Sequence, residues 1–229
     1  MTRLRLDRFD GYEPRRIEGS GEPAAVLVPL VGFPDVGSAT GEESATSASE
    51  ESTAAVDGST TVEALDPDGL GLLITRRAPD LDVHPGQVSF PGGRAEPTDE
   101  NPLYTATREA REEVRLDPDE LTVVGRLDDI RTVTGYVVTP FVGGVPRRRF
   151  VPDGREIVEV GVLPLSAFLE PSNYEFERRS HPEYGEAIVH YFHVGDFTVW
   201  GATARILVQF LELATDWSSP APDEPELIR

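Results

Sequence analysis

The sequence predicts an α/β sandwich built around a single core. Three observations carry that expectation. The chain has 229 residues, of which 38% are apolar, enough for one good core with little left for a second. Short apolar segments of strand character recur along most of its length, and only two stretches show apolar residues at helical spacing. Mixed strands with few helices differ from the regular alternation of a βαβ series. One domain spanning 1–229 is expected, and no internal repeat is visible.

Ala24 to Val31 (AAVLVPLV) reads as a strand, with Pro29 favouring a sheet edge. The stretch that follows is built from Gly, Ser, Thr, Ala and acids, with no aromatic after Phe33. It has too little apolar area to offset its ordering entropy, which predicts a disordered or loosely held acidic insertion at 35–66. Gly69 to Arg77 is the next strand, and Gln87 to Phe90 a short one ending in a tight turn at Pro91-Gly92-Gly93. A helix starts behind Asn101, a good N-cap, with Pro102 at the first position, where its missing donor costs nothing. Leu103, Ala106, Ala110 and Val114 recur along it, and it should end near Leu116, before Asp117-Pro118. Strands are expected at Leu121 to Leu127, Tyr136 to Val142, Ile157 to Leu163 and Ala187 to Val194. A last helix, Ala202 to Ala214, carries Ile206, Leu207, Phe210, Leu211 and Ala214 on one stripe. That stripe and Trp200 are expected in the core.

Composition narrows the function classes. No run of eighteen uncharged apolar residues exists, and Met1 to Asp10 alternates charged with apolar residues, unlike a secretion signal. A cytoplasmic protein without a membrane partner is the expectation. Cysteine is absent, which removes disulfides, thiolate metal sites and thiol nucleophiles together. Any metal is then held by oxygen or imidazole, and abundant carboxylates favour a hard ion, Mg2+ or Mn2+. Against 41 acidic residues stand 21 basic ones, every one of them Arg, for a net charge of −20. So acidic a surface repels phosphate backbones and argues against a nucleic-acid partner. It suggests a halophilic source, in which salt screens the self-repulsion.

Glu109, Glu112 and Glu113 stand at i, i+3 and i+4 and share one helix face. Their mutual repulsion is relieved either by solvent and salt or by a bridging cation, and Mg2+ is bound by such carboxylates together with substrate phosphates. The two glycines at 92 and 93 allow backbone to approach a metal or phosphate closely.

The stretch GGRAEPTDENPLYTATREAREEVRL, Gly92 to Leu116, resembles the box of the Nudix superfamily. The resemblance implies an α/β/α sandwich with a mixed sheet and a metal-dependent hydrolase of diphosphate bonds in small molecules. It implies metal ligation by Glu109, Glu112, Glu113 and the Gly93 carbonyl, with Glu112, Glu113 and Arg108 as catalytic residues and Arg108 orienting a Glu. The chain departs from the pattern in places: the loop from Gly93 to Arg108 is one residue longer than the commonest form. Asp99 stands for a mid-loop Glu, Ala110 for a larger aliphatic, and Arg115 for a helix-ending Gly.

LLITRRAPDLDVHPGQVSFPGG, Leu72 to Gly93, is similar to the signature of the coenzyme A pyrophosphatase branch, as are TVTGYVVTPFVG (132–143), Leu163-Pro164-Leu165 and WGATARIL (200–207). That likeness implies cleavage of coenzyme A to 3′,5′-ADP and 4′-phosphopantetheine. Asp82 stands where the branch often has Arg. Arg76 and Arg77 are candidate partners for the coenzyme's phosphates, or else an ordinary surface pair; as strand neighbours they face opposite ways, so one at most meets ligand. His84 and Gln87 either bond substrate or tie down their loop. His181, His190 and His193 lack a compact metal spacing and are expected at the surface or in packing. Candidates for a general base are the helix Glu residues, Glu156 and Glu159. Two other readings stand beside this one: a related hydrolase acting on ADP-ribose, a nucleotide sugar or a nucleoside triphosphate, and a non-catalytic binding module of the same fold. Oligomeric state leaves no trace in the sequence.

Overall fold

The computed structural model describes residues 3–33, 69–181 and 185–222, so the acidic insertion expected at 35–66 lies outside the described residues. In chain order the elements are β1 (Glu22–Val31), β2 (Gly71–Arg77), β3 (Val88–Ser89), β4 (Gly92–Arg94), α1 (Pro102–Val114), β5 (Thr122–Arg126), β6 (Ile130–Arg131), β7 (Tyr136–Val145), β8 (Ile157–Pro164), α2 (Leu165–Leu169), β9 (Tyr174–His181), β10 (Gly185–Val194), β11 (Phe197–Trp200) and α3 (Gly201–Ala214). Strands β1 to β8 form one mixed sheet, and β9, β10 and β11 a smaller antiparallel one.

The large sheet is buried on both faces, and the alternation of β1 shows how. Ala25, Leu27 and Val31 pack with Ala106, Ala110 and Val114 of α1. Val28 and Leu30, pointing the other way, join Phe192, Phe197, Ile206, Leu207 and Phe210 from β10, β11 and α3. The helices therefore lie on opposite faces, and the chain has the expected α/β architecture with a mixed sheet. The apolar residues of the N-terminus belong to the second layer: Leu4, Leu6 and Phe9 are buried in it, and the Arg5 amide donates to the Ala214 carbonyl at the end of α3 (2.6 Å).

Three expectations need correction. Pro29 does not mark an edge. Strand β1 runs parallel to β7 over all ten residues, with β4 and then β2 antiparallel along its other side. The Leu27 amide points to that other side, toward the Pro91 carbonyl (2.9 Å), so the nitrogen at 29 faces the same way, between the β4 pairings at Ala24–Val26 and the β2 pairings at Leu30–Val31. The missing donor falls where one partner has ended and the next has not begun. Pro140 of β7 occupies the matching place between its β5 and β6 pairings. Trp200 is 40% exposed, because the alternation of β11 turns Phe197 and Val199 inward and leaves Trp200 outside, where it stacks on Tyr191 with ring centroids 6.3 Å apart. Gly92 and Gly93 are not a turn; they belong to β4, zipped to Ala24–Val26 of β1.

Helix α1 begins as its sequence says. The Asn101 side chain accepts the Tyr104 amide (3.0 Å) and Pro102 takes the first position. It ends at Arg115, whose backbone is left-handed (φ 60°, ψ 33°) and whose amide turns back to the Ala110 and Arg111 carbonyls. A Cβ in this region is a steric burden. Every hydrogen bond recorded for Arg115 uses its backbone, including the carbonyl that accepts from Arg148. Arg115→Gly should therefore stabilise the protein by about 1 kcal/mol; urea unfolding reads this directly, and a destabilised variant would contradict the assignment.

Candidate active site

The glutamates of α1 meet three different environments. Glu113 is buried at 7% exposure, and its Oε2 accepts the Gly92 amide (3.0 Å). Desolvation pushes its pKa up to about 8; the Gly92 amide opposes the rise, Glu109 adds to it, Arg77 opposes it, and Glu156 adds to it. Glu109 is mostly buried and also raised, by desolvation first, against the pull of Arg108 and with Glu112 and Glu156 adding to the rise. Glu112 is 61% exposed at its side chain and, among the described residues, pairs with the Arg108 guanidinium (3.5 Å).

Arg108 ties the front of the helix to the loop before it. Its Nε and Nη2 form a fork on Asp99 (3.0 and 3.1 Å), Nη2 also donates to the Arg94 carbonyl (3.0 Å), and Nη1 reaches Glu109 (3.1 Å). Asp99, 2% exposed at its side chain, takes a further bond from Thr105 and is held down to about 2, chiefly by Arg108. The acid standing for the usual Glu thus anchors the long loop to α1.

The two glycines are needed for space. A Cβ at Gly93 would lie 2.5 Å from the Glu109 Oε1, and one at Gly92 2.4 Å from the Ala25 carbonyl oxygen. Gly92 also has φ 151°, in the region that glycine favours. Strand β4 can consequently lie flat between β1 and the carboxylates, with its backbone against both.

Arg76 and Arg77 fall on opposite faces of β2. Arg76 is engaged on the α3 side, with Glu159 (2.6 Å), the Asp196 carbonyl (2.9 Å) and the Phe197 ring 4.6 Å below its guanidinium. Arg77 lies on the α1 side, acts on Glu113 and stands 3.6 Å from Glu156; its buried Nε has no hydrogen-bond partner among the described residues. The acids outside the helix separate in the same way, Glu159 with Arg76 and Glu156 with the Glu109–Glu113 pair. His84 is exposed with φ 54°, and its carbonyl accepts the Gln87 amide (3.3 Å), while the Gln87 carbonyl accepts the Arg77 amide (2.9 Å). Both backbones close the loop after β2. Asp82 is exposed. His190 is buried and bonded to the Tyr174 hydroxyl (2.7 Å), and His193 is an exposed partner of Glu175 (3.0 Å). The backbone of His181 ends β9.

Among the described residues, no three His, Asp or Glu side chains converge into a ready metal cage. The donor chemistry nonetheless fits a hard cation. Glu109 and Glu113 are two carboxyl groups largely withdrawn from water and raised in pKa, and Gly93 backbone lies against one of them. A divalent ion compensates such a pair where water does not.

The Glu113 shift has a consequence that metal-free protein will reveal. A carboxyl raised from 4.5 to about 8 holds more protons folded than unfolded between those values. Its contribution to folding is complete below pH 4.5 and is lost as pH rises to about 8. Glu113→Gln has nothing to ionise there. In EDTA, the wild type should lose stability relative to this variant between pH 5 and 8; parallel melting curves across that range would contradict the burial of the charge.

The sequence model of the NUDIX domain matches residues 58–196. A protein of Enterobacter sp. (strain 638) named uncharacterized Nudix hydrolase NudL is 39% identical over 143 residues, covering 60% of this chain and 71% of its own length. One of the same name from Photorhabdus laumondii is 36% identical over 145 residues, covering 62% and 75%. Among solved structures, a MutT/nudix family protein from Enterococcus faecalis aligns with TM-score 0.46 at 12% identity, over 90% of this chain and 66% of that one. The NUDIX domain of Shewanella oneidensis NrtR, complexed with ADP-ribose, aligns with TM-score 0.41 at 13% identity, over 70% and 82%. With the domain match spanning more than half of its residues and relatives of this similarity, the chain belongs to the Nudix hydrolase family.

Proposed function

We propose that this protein hydrolyses the diphosphate bond of a small-molecule substrate with Mg2+ or Mn2+, and that the substrate is coenzyme A, cut to 3′,5′-ADP and 4′-phosphopantetheine. The observation that carries the chemistry is the desolvated pair Glu109 and Glu113, seated against the Gly92–Gly93 backbone. A bound divalent ion supplies charge neutralisation for the diphosphate and a water of lowered pKa. The chain's own part is to hold and orient. Arg108 fixes Glu109 while its fork on Asp99 keeps the loop in register. Arg77 offers a cation on the same side of the sheet. Water adds to one phosphorus, the bridging P–O bond breaks with its electron pair going to the departing phosphate, and the water's proton passes to a neighbouring carboxylate.

The choice of coenzyme A rests on the stretch from Leu72 to Gly93. Of the two arginines in it, Arg77 is the better partner for the 3′-phosphate, since Arg76 is occupied by Glu159 and Asp196 on the other face. Exposed Asp82 adds no buried charge to the site.

Glu109→Gln and Glu113→Gln should each lower turnover by roughly two to four orders of magnitude with folding intact. Normal turnover in both would remove α1 from the chemistry, and no metal-dependent turnover in the wild type would favour a binding module. In a substrate panel at high salt and saturating Mg2+, coenzyme A should be cut faster than its dephospho form, and Arg77→Ala should erase most of that difference while metal dependence persists. Cleavage of ADP-ribose, a nucleotide sugar or a triphosphate with coenzyme A untouched would overturn the substrate assignment and leave the hydrolase.

A further inference from the structure

A cavity of about 300 Å³ lies beside α3, lined on one side by a single face of that helix. Arg205, Val208, Gln209 and Glu212, at i, i+3, i+4 and i+7, make up this face. Arg15 of the N-terminal segment lines it as well. The Arg15 Nε donates to Asp128 (2.7 Å), and the Asp128 amide in turn donates to the Gln209 Oε1 (3.1 Å). With that oxygen engaged, Gln209 has its NH2 group to offer. His190 of β10, 4% exposed, contributes from the small sheet. The Tyr174 hydroxyl links its Nδ1 to the Ser219 hydroxyl (2.7 Å each), and the Ser219 amide donates to Glu212 (3.0 Å). When Ser219 donates to Tyr174 and Tyr174 to Nδ1, the imidazole proton is on Nε2, which makes that nitrogen a donor.

The charge of this cavity is the reverse of the chain's. The protein carries 41 acidic residues against 21 arginines, whereas here two guanidiniums meet a single lining carboxylate, Glu212. That carboxylate is exposed and accepts the Ser219 amide; Asp128, outside the lining, balances part of Arg15. The remaining polar side chains are a buried imidazole, an amide and two hydroxyls. The α1 carboxylates are remote, because α3 packs on the opposite face of the large sheet. We infer that this cavity is a second small-molecule site, independent of Glu109 and Glu113, which takes a phosphate group, free or as a monoester, between Arg15, Arg205 and His190. Guanidinium matches phosphate through paired N–H donors, and the volume is at the lower end of small-ligand pockets, enough for phosphate with a short organic part. The lining comes from the N-terminal segment, β10, α3 and the residues after α3. A bound phosphate therefore joins four parts of the chain and stabilises the folded state by mass action.

Inorganic phosphate and glycerol 3-phosphate, titrated into the metal-free full chain by calorimetry and by melting at constant ionic strength, test this apart from turnover. At least one of them should bind saturably and raise the melting temperature; equal binding of both means that the phosphate group alone is recognised, and a preference for the monoester that its organic part is held too. Arg205→Ala should weaken binding by about tenfold, and Ser218→Glu, which puts a charge at an exposed lining position, by about fivefold. Glu212→Gln keeps an acceptor for the Ser219 amide and should tighten binding by about threefold. Arg77→Ala, on the α1 side of the sheet, should leave it within about twofold. Far-ultraviolet circular dichroism checks the fold; if Arg205→Ala fails to fold, Ser218→Glu and Glu212→Gln, which change exposed side chains, decide. Absence of saturable binding in the wild type overturns the inference. So does binding lost in Arg77→Ala but unchanged in Ser218→Glu and Glu212→Gln, which would put the phosphate on the α1 side instead.

Discussion

Strand β1 is the constraint on which the rest of the molecule depends, because both of its edges and both of its faces are in use. Along one edge it pairs with β7 over its whole length; along the other it receives β4 and then β2. One face carries α1 and the other carries α3 with the small sheet. The candidate site follows from this crowding. Strand β4 is laid against Ala24–Val26, α1 packs over both, and Glu109 and Glu113 on the underside of the helix come down onto β4 backbone, largely withdrawn from solvent. Burial of Glu113 is a result of how the core closes, and the raised pKa is the electrostatic record of it.

What the sequence disclosed was what local chemistry determines. The cap at Asn101, Pro102 and the apolar spacing of α1 are decided within a few residues, and the helix lies where they put it. The family resemblance added which residues of that helix are candidates for the chemistry. Features decided by distant partners stayed hidden. The charged stretch YEFERRSH becomes β9 because β10 pairs with it from Phe192 to Gly185, and nothing within those residues reports that neighbour. Pro29 was misleading for the same reason: whether a missing amide matters depends on which strand faces it. The different exposures of Glu109, Glu112 and Glu113 likewise reflect β4, whose Gly92 and Gly93 Glu113 and Glu109 meet, although helical spacing treats the three alike.

The exclusive use of arginine acquires a structural meaning at Arg108. One guanidinium serves Asp99 through two nitrogens while a third reaches Glu109, a division of labour that the point charge of an ammonium does not reproduce. A second set of acids shows the same economy of design away from the site. Asp128 accepts the Tyr12 hydroxyl together with the Arg15 amide and guanidinium, and Asp129 gathers Ile17, Arg126 and Thr139. These two carboxylates hold the N-terminal segment across the sheet. Part of the large negative charge is thereby spent inside hydrogen-bond networks, in addition to what faces water.

The glycines around α1 serve two different needs, and the difference bears on how this sequence can drift. At Arg115 the requirement is a backbone angle, and an ordinary side chain occupies the place at a modest energetic cost. At Gly92 and Gly93 the requirement is emptiness, because an added methyl would meet a carbonyl oxygen or the Glu109 carboxylate well inside contact distance. A conformational glycine can be lost and its cost offset by a favourable change anywhere else in the molecule. A steric one such as Gly92 cannot, because no distant stabilisation removes the collision with the β1 backbone, whereas a Cβ at Gly93 would push the Glu109 carboxylate out of its place. The helix end is therefore open to variation, Gly92 is closed to it, and a change at Gly93 is felt first at Glu109.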